Sequence, residues 1–264
     1  MTAPNRNLVI APVGDKSVHE SWLSGPEAPK FDLYLMHFGS RPGFGRADAT
    51  YYLERKGFKY GLLDHVIKQQ GDLFRRYDNI WCPDDDLRVD TAGVNRLFEI
   101  FERYHLQLAQ PALCKGEASY NTLRQRRGLI LRYTPFVEVG APIFSQQGFW
   151  RAAPTFTESK SGWGLDVIWP RLFRHGEMAV IDQVGVEHMS QIGKGELYEN
   201  LAKLGVSAQS EFDAIVAKYG GFDNERHLQL VNGTIRLPAV REPSSPAGLK
   251  TRMIEWLGML PKVA

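Results

Sequence analysis

The stretch Ile80-Trp81-Cys82-Pro83-Asp84-Asp85-Asp86-Leu87 runs from an apolar segment straight into three carboxylates. Asn79 to Pro83 reads as a short buried strand leading into Asp84. In an open α/β sheet, ligands bind beyond the carboxyl ends of the strands, so the triplet stands where such a fold places its chemistry. Adjacent carboxylates repel one another, and the cluster is costly without a cation or a solvated setting. Asp84 and Asp86 are two residues apart and point to the same side of an extended chain. They could share one Mg²⁺ or Mn²⁺, cations that prefer oxygen ligands and bridge to substrate phosphates. Such an ion would neutralise charge on a leaving diphosphate. The plainer alternative is a solvated acidic turn that caps the next helix.

Working outward, the flanking sequence alternates strand and helix. Leu8 to Ala11 is a buried strand breaking at Pro12-Val13-Gly14-Asp15, and Phe31 to Phe38 is a second strand ending in a Gly39–Gly43 loop. Lys59 to Tyr77 has helical spacing in Leu62, Leu63, Val66, Ile67, Leu73 and Phe74. Asp90 or Thr91 can cap a further helix whose apolar stripe is Val94, Leu97, Phe98, Phe101 and Tyr104. Leu106 to Leu113 is strand-like. This order predicts an α/β fold with a mainly parallel sheet covered on both faces. The second half is less regular. Gly128–Tyr133, Phe136–Phe144 and Met178–Val186 are strand-like, Gly164–Phe173 is helical, and Gly193–Tyr219 is helical with a break near Gly205. Residues 242–248 (EPSSPAG) form a linker before an amphipathic helix, Leu249 to Leu260.

Ser161-Gly162-Trp163-Gly164-Leu165-Asp166 is the second unusual string. Its glycines let the backbone approach a ligand, and the Trp163 face offers a platform for a sugar ring. Asp166 is placed to remove a proton from an acceptor hydroxyl. A packed turn with Asp166 capping a helix is the competing reading. His188 ends the Met178–Val186 strand region and could add a nitrogen ligand to a carboxylate-bound Mn²⁺, although a lone histidine is more often structural. Strand-Asp-x-Asp is also the nucleophile motif of haloacid-dehalogenase-type phosphatases, which carry it near the first strand with Thr or Val two residues after the second Asp. Here that residue is Arg88.

The chain has 264 residues, 43% hydrophobic and 23% charged, with a formal net charge of +2. That is ordinary globular composition, without the basic field expected of a nucleic-acid binder. Cys82 and Cys114 both lie in apolar runs and read as buried free thiols, favouring a reducing compartment. Met1 to Asn7 lacks an apolar signal core, and no run approaches the roughly 20 apolar residues of a membrane span. The expected location is the cytoplasm, at the inner face of the membrane if the product is a surface glycan.

In order, the strand with its acidic triplet, LQLAQPAL (106–113), FVEVGAPIFS (136–145), GWGLD (162–166) and the late His188 resemble the glycosyltransferase-A-like family of plant and bacterial proteins catalogued as domain of unknown function 707. The resemblance covers Leu8 to Ser190 and is densest in Tyr77–Val89, Leu106–Leu113, Val137–Trp150 and Gly162–Ile168. It implies a glycosyltransferase-A fold, a Rossmann-like nucleotide-binding half followed by an acceptor-binding half, over residues 1–192. A helical extension (193–241) and the linker with its C-terminal helix (242–264) would follow. It implies that Asp84, Asp86 and His188 hold Mn²⁺ or Mg²⁺ on the donor diphosphate, with Asp85 near the ribose. Gly14 and Asp15 would meet the nucleotide base, and Lys59 the ribose or a phosphate. Gly162-Trp163-Gly164-Leu165-Asp166 is similar to the base-carrying segment of inverting galactosyltransferases, but Val167 replaces their usual second acid.

The expectation is a metal-dependent glycosyltransferase using a nucleoside-diphosphate sugar, UDP-linked by preference, and a glycan or lipid-linked acceptor. A non-catalytic nucleotide-sugar or glycan-binding module of the same fold is the alternative, and a metal-dependent phosphatase the third reading. Trp163, Gly164 and Glu138 are candidates for contact with sugar or acceptor. Glu138 lies among apolar residues, so it is either partnered or exposed at an edge strand. Residues 122–132 (TLRQRRGLILR) could clamp a diphosphate, or form a solvated hairpin or mobile loop. The Leu249–Leu260 helix could touch a membrane surface, or pack on protein.

Overall fold

The computed structural model of the chain describes residues 5–191, 196–219 and 233–237, with the side chains of 196–199 excepted. The strands are β1 (Asn7–Val13), β2 (Asp32–His37), β3 (Tyr51–Glu54), β4 (Asn79–Trp81), β5 (Leu87–Arg88), β6 (Leu108–Lys115), β7 (Leu129–Tyr133), β8 (Ile143–Ser145), β9 (Met178–His188) and β10 (Gly233–Arg236). The helices are α1 (Lys59–Phe74), α2 (Thr91–Arg103), α3 (Gln146–Ala152), α4 (Leu165–Ile168), α5 (Glu196–Lys203) and α6 (Ala208–Tyr219). All ten strands join one sheet in the order β10-β7-β9-β6-β8-β4-β1-β2-β3, with β5 pairing β9.

β1 shows why the centre of this sheet is covered on both sides. Side chains alternate faces along a strand. Val9 and Ala11 pack with Trp81 and the α2 stripe of Val94, Leu97, Phe98 and Phe101. Leu8 and Ile10 pack oppositely, with Leu62, Leu63 and Val66 of α1. β1, β2, β3 and β4 run parallel. From β4 onward the sheet is mixed: β8 is antiparallel to both β4 and β6, whereas β6 and β9 are parallel. α2 begins where expected, its Gly93 amide donating to the Asp90 side chain at 2.8 Å.

Several elements differ from the sequence reading. Phe136–Phe144 is not one strand; only Ile143–Ser145 is, and residues 136–142 are loop and turn. Glu138 is therefore on neither a central nor an edge strand. Gly164–Phe173 contains only the short α4 followed by a 3-10 turn, Trp169–Arg171. The 193–241 region is not wholly helical, because β10 pairs antiparallel with β7. Cys82 is buried, but Cys114, at the frayed end of β6, is exposed. The Leu249–Leu260 helix lies outside the described residues. Among the described residues no helix is long and apolar enough to cross a membrane.

Arg132 fits neither reading of the arginine-rich segment. Its side chain and that of Asp182 are both 0% exposed, and they pair bidentately at 2.7 and 3.0 Å. Two of the three remaining guanidinium N–H groups donate to the carbonyls of Thr122 and Arg124 at 2.6 and 2.9 Å. Asp182 also accepts from the Arg126 amide at 2.7 Å. A buried ion pair persists only when its hydrogen bonds are complete, and removing one partner leaves an uncompensated charge. Asp182→Ala is therefore expected to lose about 3–5 kcal/mol of unfolding free energy, measured by urea unfolding; a loss under about 1 kcal/mol, the exposed-pair range, would contradict it.

Candidate active site

Each aspartate of the triplet is fixed by a different part of the chain. The β4–β8 ribbon continues past its last strand pair, with the Cys82 amide donating to the Pro142 carbonyl at 2.8 Å and the Asp84 amide to the Gly140 carbonyl at 2.7 Å. The Asp85 carbonyl accepts from the Val18 amide at 2.8 Å, and the Asp86 carbonyl from the Met189 amide at 2.9 Å. Trp22, fully buried, closes the turn from below by donating its indole N–H to the Leu87 carbonyl at 2.7 Å. The triplet thus sits between the loop after β1, the loop before β8 and the end of β9, beyond the carboxyl end of β4.

The side chains divide between cations and loops. Lys59, the first residue of α1, donates Nζ to Asp84 Oδ1 at 2.8 Å and to the Val139 and Gly140 carbonyls at 2.8 and 3.0 Å. All three ammonium donors are engaged, and the side chain is only 10% exposed. Lys59 is therefore a clamp between α1, the triplet and the 139–140 turn, not a group turned toward ribose or phosphate. Asp85 Oδ2 accepts from the Gly14 amide at 2.7 Å and so fixes the loop after β1. Asp86 Oδ2 meets His188 Nε2 at 3.3 Å, and the other ring nitrogen faces the Glu117 carbonyl at 3.1 Å. Among the described residues, Asp86 Oδ1 is buried without a hydrogen-bond partner.

Asp15 is directed away from the triplet. Its carboxylate takes the Ser40 and Arg41 amides at 2.8 and 3.0 Å and faces His37 Nε2 at 3.0 Å. Those amides, Ser40 first, hold its pKa down at about 2. It organises the loop after β2.

The turn at residues 138–140 brings a second set of acids to the triplet. Gly140 passes so close that a Cβ there would lie 3.3 Å from Asp84 Oδ2 and 4.0 Å from Glu138 Oε2. Glu138 donates its amide to Gln110 Oε1 at 2.6 Å, and its carboxylate accepts the Ser119 hydroxyl. Asp166, in the first turn of α4, lies close enough to the Gly164 and Val139 amides for these to favour its charged form. Glu138 and Asp166 are thus joined through one backbone turn. Trp163 is half-buried beside them, and Gly164 is the left-handed N-cap of α4 at φ 90°.

Burial pushes the Asp166 carboxyl up to about 7, with the charge of Glu138 adding to it. Burial likewise raises Asp85 to about 7 against the opposing Gly14 amide, and raises Asp84 and Glu138. Asp86 is different: burial would raise it, but the hydrogen bond and charge of His188, with smaller help from the Ser190 side chain and its own amide, outweigh that and hold it below its ordinary value. His188 is correspondingly raised to about 9 by its bond to Asp86.

Among the described residues no three His, Cys, Asp or Glu side chains are already gathered around a common point as a metal cage. Asp86 and His188 bond each other, and Asp84 bonds Lys59. The donor chemistry nonetheless fits Mn²⁺ or Mg²⁺: oxygen ligands dominate, one imidazole is adjacent, and the buried Asp86 Oδ1 has a free lone pair where an ion would supply a partner. An open depression of about 720 Å³ is lined in part by residues that neighbour the triplet and His188 in sequence. Arg88, Asp90, Arg96, Cys114 and Glu187 are in its lining, but Asp84, Asp86, Asp166 and His188 are not. That depression is distinct from the acidic cluster, which, with its unpartnered carboxylate oxygen, defines the site.

The mixed α/β sheet matches the fold of solved glycosyltransferase-A structures. A solved structure of GalNAc-T7 with UDP, GalNAc and Mn²⁺ superposes at a TM-score of 0.51, with 10% identity over 80% of this chain and 50% of that one. S. aureus TarS 1-349 in complex with UDP-GlcNAc matches at a TM-score of 0.47, with 10% identity over 81% of this chain and 73% of that one. The chain spans about half the length of the GalNAc-T7 chain. No family model matches the sequence, and no curated protein does.

The glycines before Asp166 supply a test of this geometry. Gly162 has φ +88°, and a Cβ there would lie 2.8 Å from the buried Tyr60 ring, whose hydroxyl donates to the Val139 carbonyl at 2.8 Å. Gly162→Ala is expected to destabilise the protein by about 1–3 kcal/mol, read as a lowered Tm. An unchanged Tm would mean that the turn is built differently.

Proposed function

We propose that this chain is a nucleotide-sugar-dependent glycosyltransferase, UDP-linked by preference, of the kind that the resemblance to domain of unknown function 707 implies. The observation that carries the reading is the buried, unpartnered Asp86 oxygen in an acidic turn at the carboxyl end of a glycosyltransferase-A sheet. Lys59 and His188 are the basic groups in contact with the triplet carboxylates, against the acids Asp84, Asp85, Asp86, Glu138 and Asp166. That surplus of acid favours a divalent cation. GalNAc-T7, which superposes at a TM-score of 0.51, is itself a complex with UDP, GalNAc and Mn²⁺.

In this reading Asp86 and His188, with Asp84, hold Mn²⁺ or Mg²⁺, which would supply positive charge to the departing diphosphate. Asp85 holds the loop after β1 through the Gly14 amide, so that this loop is pre-positioned against the nucleotide. Trp163 offers its face to a sugar ring. Asp166 removes the proton of the attacking acceptor hydroxyl. A carboxylate with a pKa near 7 is better suited to this than an ordinary aspartate, because the base strength matches the operating pH. Glu138, one turn away, accepts hydrogen bonds from acceptor hydroxyls and keeps the Asp166 carboxyl basic. The acceptor is a glycan or a lipid-linked glycan.

Calorimetric titration with UDP and UDP-sugars, with and without Mn²⁺, tests the donor site. Metal-dependent binding should weaken more than about 100-fold in Asp86→Ala; undiminished binding removes the site from Asp86. Because an ion must displace the proton on His188, Mn²⁺ affinity should rise with pH up to about 9. Without metal, the Asp86–His188 pair contributes stability that is complete below the unfolded histidine pKa of about 6.5 and disappears as pH rises through about 9.

Asp166→Asn should lower kcat by about 10²- to 10⁴-fold with nucleotide binding retained. In the wild type, activity should rise with pH through about 7 as Asp166 loses its proton. Nucleotide binding without hydrolysis or transfer for any acceptor would instead favour the binding module.

A further inference from the structure

Glu211 stands in the first turn of α6, outside the motifs that mark the site. Its carboxylate does not face solvent alone. Oε1 accepts from the Lys160 amide at 2.9 Å. Oε2 accepts from the Ser161 amide at 2.8 Å and from the Ser159 hydroxyl at 3.1 Å. The same two serines then carry the network toward Asp166. Ser159 Oγ accepts from the Gly162 amide at 3.0 Å, and Ser161 Oγ accepts from the Trp163 amide at 3.1 Å. One carboxylate therefore heads a chain of hydrogen bonds that fixes four consecutive amides, from 160 to 163. Gly164 and the α4 turn carrying Asp166 follow immediately.

Packing reinforces the same contact. A Cβ at Gly164 would lie 2.9 Å from Ile215, one helical turn beyond Glu211 and itself buried. α6 thus rests directly on the left-handed Gly164 that starts α4. Farther along, Lys218 pairs with Glu158 at 2.6 Å, a more exposed strut at the other end of the loop. The loop has little means of its own to hold a shape: Gly162 and Gly164 both sit in the left-handed region, and the loop contains no strand or helical hydrogen bonds before α4. A partly buried network of this kind rigidifies when it is fully satisfied.

We infer that Glu211 is a positioning residue for the transfer reaction: by clamping residues 159–163 onto α6 it sets the placement of Asp166 and of the Trp163 platform. This inference rests on the proposed role of Asp166 as base. Glu211 touches neither Asp166 nor the triplet, and its effect travels through the loop. A displacement of a reacting group by about 1 Å costs about 100-fold in rate, so loss of the clamp should appear in kcat and not in donor binding, which is assigned to the triplet and the loop after β1.

The experiment pairs hydrogen exchange with kinetics in Glu211→Ala, Glu211→Gln and Lys218→Ala. In Glu211→Ala, exchange at amides 160–163 should rise by at least about tenfold while the β1 and β4 amides are unchanged. In the same variant kcat should fall about 10- to 100-fold, with donor KM and UDP affinity within about twofold. Glu211→Gln keeps an acceptor for one side of the loop and should fall between Glu211→Ala and wild type. Lys218→Ala removes the exposed strut and should leave kcat within about twofold, the small effect expected of an exposed pair. Unchanged exchange at 160–163, unchanged kcat in Glu211→Ala, or an equal loss in Lys218→Ala each overturns the inference. A wild-type chain that transfers no sugar removes the proposed function and the catalytic part of this inference with it. Unchanged exchange in an active enzyme removes the role of Glu211 alone.

Discussion

Three backbone hydrogen bonds, one to each residue of the acidic triplet, are the constraint on which the rest of the site depends. Asp84 is tied to Gly140, Asp85 to Val18 and Asp86 to Met189. Adjacent carboxylates push apart, and in a partly buried setting that repulsion is stronger than in water. A turn anchored at one point would open. Anchored from three directions, it holds its charges in place, and the same bonds bring the loop after β1, the 138–140 turn and the end of β9 around them. Lys59 and His188 then answer the side chains as these bonds answer the backbone.

Crowding of acids also sorts them by strength. Asp86 is held ionised by His188, whereas Asp85 and Asp166 are driven up to about 7 by burial. Carboxyl groups whose surroundings push their pKa values apart are the usual sign of different tasks within one site. Here the ionised member carries the unpartnered oxygen suited to a cation, and a weaker acid sits beside a half-buried tryptophan. Asp85 is occupied with the Gly14 amide, which makes it structural.

The part of the chain beyond β6 is held by polar contacts as much as by apolar ones. Arg132 and Asp182 join β7 to β9 inside the protein, and Glu211 joins α6 to the loop before α4. Both use a carboxylate that accepts several donors in fixed geometry. Such contacts cost desolvation but allow few alternative arrangements. This suits a region with few long elements, where periodic apolar packing alone would leave the loops undetermined.

Local pattern was sufficient for most of the first half of the fold. β1, β2, α1, β4, the Asp90 cap, α2 and β6 each carry an apolar run, a helical stripe or a capping residue within one short window, and each was legible from it. The position of the acidic triplet beyond a strand end followed from the same pattern. β3, β5 and β10 are two to four residues long and show no period of their own; pairing with β2, β9 and β7 makes them strands. Residues 136–142 have a strand's composition, yet the chain turns there to put Glu138 and Gly140 against Asp84. Composition likewise placed Cys114 inside, whereas the end of β6 leaves it exposed. Lys59 reaches acceptors 25, 80 and 81 residues away, and Glu211 accepts from donors 50 to 52 residues away. By itself the sequence determined which segments are apolar, where they break and which acids stand at a break. Tertiary structure alone decided which charges meet, because hydrogen bonds and ion pairs depend on distances in space that residue spacing along the chain does not encode.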